Sequence, residues 1–279
     1  MLLTISALRA AGRKMLKEAE VDSYVIDADV LLMHVLGVDK NVLLMESDRV
    51  ISDTDAERFW VFVKKRLGKM PVQYIVGKCE FMSMEFVVDE NVLIPRPDTE
   101  ILVETVLSKE KSGMKGLEIG IGSGCISVAL AHHGGINMMG VDISPKAVDI
   151  ARQNASKWRQ NCNFIVSDMF ANVSHRTLFD FVVSNPPYIP TADIEQLGEN
   201  VKSHEPRNAL DGGPDGLRFY RDICRDVTEY MTPGGRIYFE IGYDQGHAVK
   251  HILCMAGFSD INIIKDLAGH DRVIHGTCS

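Results

Sequence analysis

The fold is decided by Leu117-Glu118-Ile119-Gly120-Ile121-Gly122-Ser123-Gly124, in a chain of 279 residues. The apolar start is typical of a buried strand, and the alternating glycines predict a tight turn into a helix that runs from about Ile126 to Ala131. Glycine lets the backbone approach a bound molecule where a Cβ atom would collide with it. The stretch therefore predicts a ligand-binding turn at the carboxyl end of a strand.

Two further strand ends carry acids that suit a nucleoside. The next apolar run ends at Asp142, about where a dinucleotide-binding fold places the acid that binds a ribose diol. The nicotinamide fingerprint has Gly or Ala at position 125, but the residue there is Cys125. A Gly-x-Gly-x-Gly turn followed by an acidic strand end is more typical of S-adenosylmethionine sites. A third strand ends at Asp168, whose carboxylate is placed to accept the adenine amine; either Met169 or Phe170 then packs on the ring. The alternative is that Asp168 caps a turn and Phe170 belongs to the core.

Strands and helices alternate from Leu117 onward, which predicts a doubly wound parallel sheet with right-handed crossovers. Upstream, residues 4–77 show helical periodicity in three segments, and residues 74–94 show the period of two that is typical of a hairpin. We therefore predict an α/β fold: a Rossmann-like, doubly wound, seven-stranded sheet with a small N-terminal helical bundle and a linking β-hairpin. The predicted domains are residues 1–73, 74–94 and 95–279.

The fourth strand, Phe181 to Val183, runs into Asn185-Pro186-Pro187-Tyr188. Proline can neither donate to a sheet ladder nor continue a helix, so this loop should hold one shape. In that shape Asn185 offers a side-chain carbonyl, Pro186 a backbone carbonyl and Tyr188 an aromatic face. Two acceptors beside an aromatic plane suit a planar –NH2 group. The alternative is an ordinary end of a strand with a buried tyrosine.

The two motifs should meet, because ligands of doubly wound sheets bind where the winding reverses, here between the first and fourth strands. A cofactor with an activated methyl would then lie beside a planar amine, which is the arrangement for methyl transfer. The predicted catalytic residues are Asn185, Pro186 and Tyr188, and the predicted substrate-binding residues are Asn185, Pro186, Pro187 and Tyr188. The predicted S-adenosylmethionine-binding residues are Gly120, Ile121, Gly122, Ser123, Gly124, Asp142, Asp168, Met169, Phe170 and Asn185.

Proline-rich and charged stretches flank these motifs. Pro95-Arg96-Pro97 precedes a predicted helix, where it either only leads into the helix or also walls the pocket. The stretch from Ile189 to Gly216 is rich in Pro, Gly and charge, and a loop of that length in a compact domain is usually functional or mobile.

Composition limits the partners. The formal net charge of −8 argues against a surface that binds bare nucleic acid. The six cysteines show no metal-ligand spacing, so we expect no metal site and a reduced, cytoplasmic environment. The amino terminus has no signal-peptide core, and no run approaches the length of a membrane span. We expect a monomer that binds neither nucleic acid nor membrane.

The chain resembles the release factor glutamine methyltransferases, of the PrmC or HemK type, over nearly its whole length. Besides the helical N-terminal domain, the resemblance is carried by Pro95-Arg96-Pro97-Asp98-Thr99-Glu100, Gly120 to Gly124, Asn185 to Tyr188, His204-Glu205-Pro206-Arg207, Gly212-Gly213-Pro214-Asp215-Gly216-Leu217 and Asp266-Leu267-Ala268-Gly269-His270-Asp271-Arg272. Family members often carry an aromatic or large aliphatic residue after the acid of the third strand, where this chain has Met169.

The resemblance implies a reaction and a partner. The methyl group would pass to the side-chain amide nitrogen, N5, of the glutamine in the Gly-Gly-Gln motif of class 1 peptide chain release factors, and S-adenosylhomocysteine would be the product. The helical domain would help to dock the release factor. Two alternatives stay open: an adenine-N6 or guanine-N2 nucleic-acid methyltransferase, since these share Asn-Pro-Pro-Tyr, and a factor that binds nucleotide and partner without turnover.

Overall fold

The computed structural model describes residues 3–278, which form two compact units. The first unit extends to Lys78 and includes Gly198–His204, and the second comprises Cys79–Leu197 and the chain from Glu205 onward. Met1, Leu2 and Ser279, at the ends of the predicted domains 1–73 and 95–279, lie outside the described residues. No helix in the described part of the chain is both long and apolar enough to cross a membrane.

The first unit is helical. Its helices up to Val76 are α1 (Ile5–Glu18), α2 (Tyr24–Leu36), α3 (Lys40–Met45), α4 (Asp53–Leu67) and α5 (Val72–Val76). The three predicted helices correspond to α1, α2 and α4. Ser52 caps α4 through its side chain, and Gly37 ends α2 in the left-handed conformation. Sequence periodicity misses α3 and α5, because five or six residues are too few to show a helical repeat.

A two-stranded hairpin follows, formed by β1 (Lys78–Phe81) and β2 (Met84–Val87). The prediction that strand structure begins at Tyr74 is wrong, since that residue lies in α5. The turn consists of Met82 and Ser83, which both have positive φ, of 51° and 58°. Two left-handed residues are the requirement of a type I′ turn, which Asn-Gly usually meets.

The second unit contains the seven-stranded sheet. Its elements in chain order, together with one helix that belongs to the first unit (α9), are α6 (Pro97–Lys109), β3 (Lys115–Ile119), α7 (Cys125–Gly134), β4 (Asn137–Asp142), α8 (Pro145–Lys157), β5 (Asn163–Val166), β6 (Phe179–Ser184), α9 (Glu199–Lys202), α10 (Arg218–Asp226), β7 (Met231–Glu240), α11 (Gly246–Met255), β8 (Phe258–Lys265) and β9 (Asp271–Cys278). The strand order is β5-β4-β3-β6-β7-β9-β8. The predicted doubly wound, seven-stranded fold is therefore confirmed.

The sheet is parallel except at β9, which pairs antiparallel with both β7 and β8. A short turn joins β8 to β9, and strands joined without a crossover helix run antiparallel. Adjacent apolar side chains of β6 and β7 belong alternately to two hydrophobic clusters. In β6, for example, Phe181 and Val183 belong to one cluster and Val182 to the other. Both faces of the sheet are therefore covered, as in other doubly wound folds.

The long stretch from Ile189 to Gly216 contains short helices instead of continuous loop. These are two 3-10 helices, Thr191–Gln196 and Arg207–Ala209, and α9. Within the first unit, a ring nitrogen of His204 lies 3.1 Å from the carbonyl oxygen of Gly68. The stretch thus returns to the first unit for seven residues before it re-enters the second.

Candidate active site

The register of two parallel strands brings both motifs together. Ile119, the last residue of β3, pairs with Ser184, the last residue of β6, and the Ser184 hydroxyl donates to the Ile119 carbonyl at 2.7 Å. Gly120 and Asn185 come next in the chain, so the two loops leave the sheet side by side at its carboxyl edge. The predicted meeting of the glycine turn with Asn-Pro-Pro-Tyr is confirmed.

The glycines of the turn serve two purposes. Gly120, Gly122 and Gly124 have positive φ angles of 77°, 51° and 77°. A Cβ atom built on Gly120 or Gly122 would meet no atom within 4 Å, so both glycines leave open space above the turn. A Cβ on Gly124 would lie 2.8 Å from the Cβ of Ala151 in α8, so this glycine is required for helix packing.

Asp142 holds the turn from the neighbouring strand. Its Oδ2 accepts a hydrogen bond from the Gly122 amide at 3.0 Å, and its Oδ1 accepts one from the Ser144 amide at 2.9 Å. Burial raises the pKa of this carboxyl, although both amide bonds act in the opposite direction. The acid is therefore fixed at the end of β4, beside the open space of the glycine turn.

A cavity of about 860 Å³ lies in the second unit at this edge of the sheet. Predicted site residues that line it are Gly120, Ile121, Gly122, Ser123, Asp142, Asp168, Met169, Phe170, Asn185, Pro186 and Pro187. Pro95 and Arg96 also line it, which agrees with the interpretation that this proline-rich stretch walls the pocket. Gly124 and Tyr188 are not among the lining residues.

Met169 and Phe170 both reach the cavity but differ in their surroundings. Phe170 is 5% exposed and stacks on Tyr230, with ring centroids 4.6 Å apart and ring planes at 14°. One face of its ring is therefore occupied within the core. Met169 is partly buried and has a φ of 46°, an unusual conformation for a residue other than glycine. The Met169 side chain is thus the more available of the two.

The Asn185 amide is held by a buried hydrogen-bond network that sequence reasoning missed. Its Nδ2 donates to the Thr99 hydroxyl at 3.2 Å, and that hydroxyl donates to Oε2 of Glu240 at 2.6 Å. Within the described residues, nothing donates to the Asn185 Oδ1 or to the Pro186 carbonyl. Both acceptors are thus available to a substrate. The sequence does contain one sign of this network: Glu240 is a single acidic residue at the end of an apolar strand. A carboxyl that is buried in such a place requires hydrogen-bond partners.

Tyr188 faces the same buried carboxyl. Its hydroxyl donates to Oε1 of Glu240 at 3.3 Å, and its backbone carbonyl accepts from Nε2 of Gln245 at 2.9 Å. Burial, followed by the charge of Glu240, raises the pKa of the phenol. Both hydrogen bonds of Tyr188 therefore hold the loop against the second unit's buried side chains. The predicted contact of its ring with the substrate amine stays a prediction.

Two other buried carboxyls lie around the cavity. Glu205, from the His-Glu-Pro-Arg segment, accepts from Arg96 at 2.5 Å, and its burial raises its pKa. Glu118, in β3, lines the cavity and accepts from the Ser127 amide at 2.9 Å. Burial raises the pKa of Glu118 to about 8. This side chain is therefore mostly protonated near neutral pH, when its hydroxyl can act as a hydrogen-bond donor.

These residues fit S-adenosylmethionine. Gly120 and Gly122 leave room for a ligand to lie against the backbone, because a Cβ atom added to either residue would project into open space. Asp142 and Asp168 each bring a carboxyl group to the cavity, and such a group can accept hydrogen bonds from a ribose diol or from an adenine amine. All four residues line one cavity at the switch point of the sheet.

Fold and site together define an S-adenosylmethionine-dependent methyltransferase. Residues 7–77 match the PrmC N-terminal domain, and residues 96–203 match the methyltransferase small domain. The release factor glutamine methyltransferase of Clostridium botulinum is 40% identical in an alignment of 278 positions that covers 98% of each chain. That of Thermodesulfovibrio yellowstonii is 41% identical over 89% of this chain and 90% of its own. The chain belongs to the family of release factor glutamine methyltransferases.

Solved structures support the fold alone. A methyltransferase from Pyrococcus furiosus superposes with a TM-score of 0.54 at 16% identity, over 71% of this chain and 90% of its own. The 16S rRNA N2 G1207 methyltransferase of T. thermophilus, solved with AdoMet and guanosine, superposes with a TM-score of 0.53 at 14% identity, over 72% of this chain and 50% of its own.

Proposed function

We propose that the protein methylates the side-chain amide nitrogen of the glutamine in the Gly-Gly-Gln motif of class 1 peptide chain release factors. The observation that carries the proposal is the pair of available acceptors, Asn185 Oδ1 and the Pro186 carbonyl, on the two residues that follow Ser184, which pairs with Ile119 at the end of the neighbouring strand. A primary amide has two N–H hydrogens for these two acceptors. The names of full-length relatives at about 40% identity support the choice of glutamine.

The protein contributes alignment more than proton transfer. S-adenosylmethionine supplies a methyl group that is already activated as part of a sulfonium. Asn185 and Pro186 accept both N–H hydrogens, so the nitrogen lone pair is directed at the methyl group and the positive charge that grows on nitrogen is stabilised. On transfer, the new N–C bond would form as the S–C bond breaks, and the substrate nitrogen would then release one proton to water. No side-chain base is required.

We assign the cofactor-binding roles to residues that line the cavity or support its wall. Gly120 and Gly122, with Ile121 and Ser123, provide the surface on which the cofactor lies, and Gly124 maintains that surface through helix packing. We assign Asp142 to the ribose diol and Asp168 to the adenine amine. Met169 packs on the adenine ring, since the ring of Phe170 is engaged with Tyr230.

The finer assignments rest on the family. We assign recognition of the release factor to the helical first unit, which extends to Lys78, and methyl transfer to the second unit, which contains the cavity. The protein acts as a monomer in the cytoplasm, where its substrate works, and binds no nucleic acid directly.

Mass spectrometry tests this function. The protein is incubated with isotope-labelled S-adenosylmethionine and either a class 1 release factor, duplex DNA or ribosomal RNA. We expect one labelled methyl group on the glutamine of the Gly-Gly-Gln peptide and none on nucleic acid. Label on adenine or guanine alone would reject the proposal in favour of the nucleic-acid alternative, and no transfer to any substrate would favour a non-catalytic factor.

A further inference from the structure

Beneath Asn185 lies a chain of hydrogen bonds with a defined direction. Thr99 and Glu240 are 2% and 1% exposed, so their interactions are sheltered from water. Glu240 Oε2 accepts the Thr99 hydroxyl proton at 2.6 Å, and the Thr99 oxygen accepts from Asn185 Nδ2 at 3.2 Å. These residues come from α6, the end of β7 and the loop after β6, so no single element holds the amide.

The number of protons that these three side chains can donate shows what this series of hydrogen bonds does. A carboxylate can only accept hydrogen bonds, and a threonine hydroxyl has a single proton. When Glu240 is ionised, that proton points to the carboxylate, and the Thr99 oxygen can only accept from Asn185. The Asn185 amide must then present Nδ2 to Thr99, which leaves Oδ1 for the substrate. A flipped amide would place the Oδ1 lone pairs against the Thr99 oxygen and present a donor to the substrate amine.

We propose that Glu240 and Thr99 are positioning residues, which act through their hydrogen bonds to keep the Asn185 amide in the orientation that binds the substrate nitrogen. This inference rests on the proposed transfer to an amide nitrogen. Neither residue touches the reacting atoms in this role. Protonation of Glu240 removes the constraint, because the carboxyl can then donate to Thr99 and release the Thr99 proton toward the Asn185 amide.

The groups around Glu240 determine when this change occurs. Burial raises its pKa to about 7, while the Thr99 hydrogen bond, the charge of Arg272 and the Tyr188 hydrogen bond act in the opposite direction and Asp98 reinforces the effect of burial. Tyr220 also faces this position, with its hydroxyl 2.9 Å from the Glu240 carbonyl oxygen. The orientation of Asn185 should therefore become better defined as the pH rises through about 7.

The first test compares two threonines of α6 in the release factor assay. Thr99→Val removes the hydroxyl at nearly constant volume, and Thr99→Ser keeps it. Thr105→Val makes the same change at a buried site whose hydroxyl, among the described residues, bonds only the Ile101 carbonyl, at 2.7 Å. We expect kcat to fall at least about tenfold in Thr99→Val with unchanged affinity for S-adenosylmethionine. Thr99→Ser should retain most of the native kcat, and Thr105→Val all of it. An equal kcat in both valine variants, or equal losses in Thr99→Ser and Thr99→Val, would overturn the proposal.

The second test needs no turnover. In protein labelled with [15N]asparagine, the Asn185 side-chain signal is identified by its absence from an Asn185→Ala sample. We expect it to shift with pH around about 7 in the native protein and not in Glu240→Gln. A native signal that does not titrate would overturn the inference, even if a variant fails to fold. If this signal titrates but the native protein does not methylate the release factor, the proposed reaction is wrong, while the proposed control of the Asn185 orientation by Glu240 still holds.

Discussion

In the proposed reaction, Asn185 carries one of the two acceptors that bind the substrate amide. In Asn185→Ala the Oδ1 that binds the substrate amide is lost, and we expect turnover to fall at least about 100-fold, since one preorganised donor or acceptor is typically worth that much. Single-turnover kinetics at saturating S-adenosylmethionine measures the loss. Asn137→Ala is the matched control, since that amide bonds the Gly113 carbonyl at the opposite end of the sheet. Unchanged turnover in Asn185→Ala would count against the assigned role.

His275 should make stability depend on pH. It is 6% exposed, and burial followed by the charges of Lys109 and Arg236 lowers its pKa to about 4. In the unfolded chain this histidine binds a proton near pH 6.5, and in the folded protein only near pH 4. The contribution of neutral His275 to the free energy of unfolding is therefore complete above pH 6.5 and is lost as the pH falls through about 4.

The variant His275→Gln cannot gain this charge. We expect the free energy of unfolding of the native protein, relative to the variant, to fall by about 2 kcal/mol between pH 7 and pH 5, as measured by urea unfolding. His247→Gln makes the same substitution at an exposed position and controls for the change of side chain itself. The comparison with a variant is required because Glu118 and Glu240 have raised pKa values, so their contributions increase as the pH falls.

At the scale of elements, the turn of the first hairpin is strained. Ser83 is exposed and has a φ of 58°, where a Cβ atom is unfavourable. Ser83→Gly should raise the free energy of unfolding by about 0.5 kcal/mol, because the relief of about 1 to 2 kcal/mol exceeds the extra entropy that glycine loses on folding. Thermal and urea unfolding measure the change. Ser83→Ala keeps the Cβ atom and should give no gain; an equal gain there would show that the strain is not the cause.

At the scale of the whole molecule, the proposed division of labour places recognition in the first unit. Met45, at the end of α3, and Ile26, in α2, are apolar yet 85% and 66% exposed. We expect Met45→Asp and Ile26→Asp to raise KM for a folded release factor several-fold, because in the proposed recognition role an aspartate would bring an unpaired charge into an apolar contact with the partner. The rate with a short Gly-Gly-Gln peptide should not change.

Steady-state kinetics with both substrates separates recognition from chemistry. Met255→Asp is the control, because this residue of α11 in the second unit is similarly apolar and 76% exposed. The same loss of activity with peptide and with protein would show that the first unit supports folding instead of recognition.

The sequence by itself determined the seven strands, the glycine turn after β3 and the proline loop after β6, because each depends on local periodicity or backbone chemistry. It also determined the meeting of the two loops, since the winding rules of α/β sheets place the first and fourth strands side by side. Only the tertiary structure decided what holds Asn185. Thr99 and Glu240 are separated by 141 residues, and a buried hydrogen bond over that distance leaves no periodic or local trace. It likewise decided that Tyr188 turns toward Glu240, because burial and partners belong to the packed molecule.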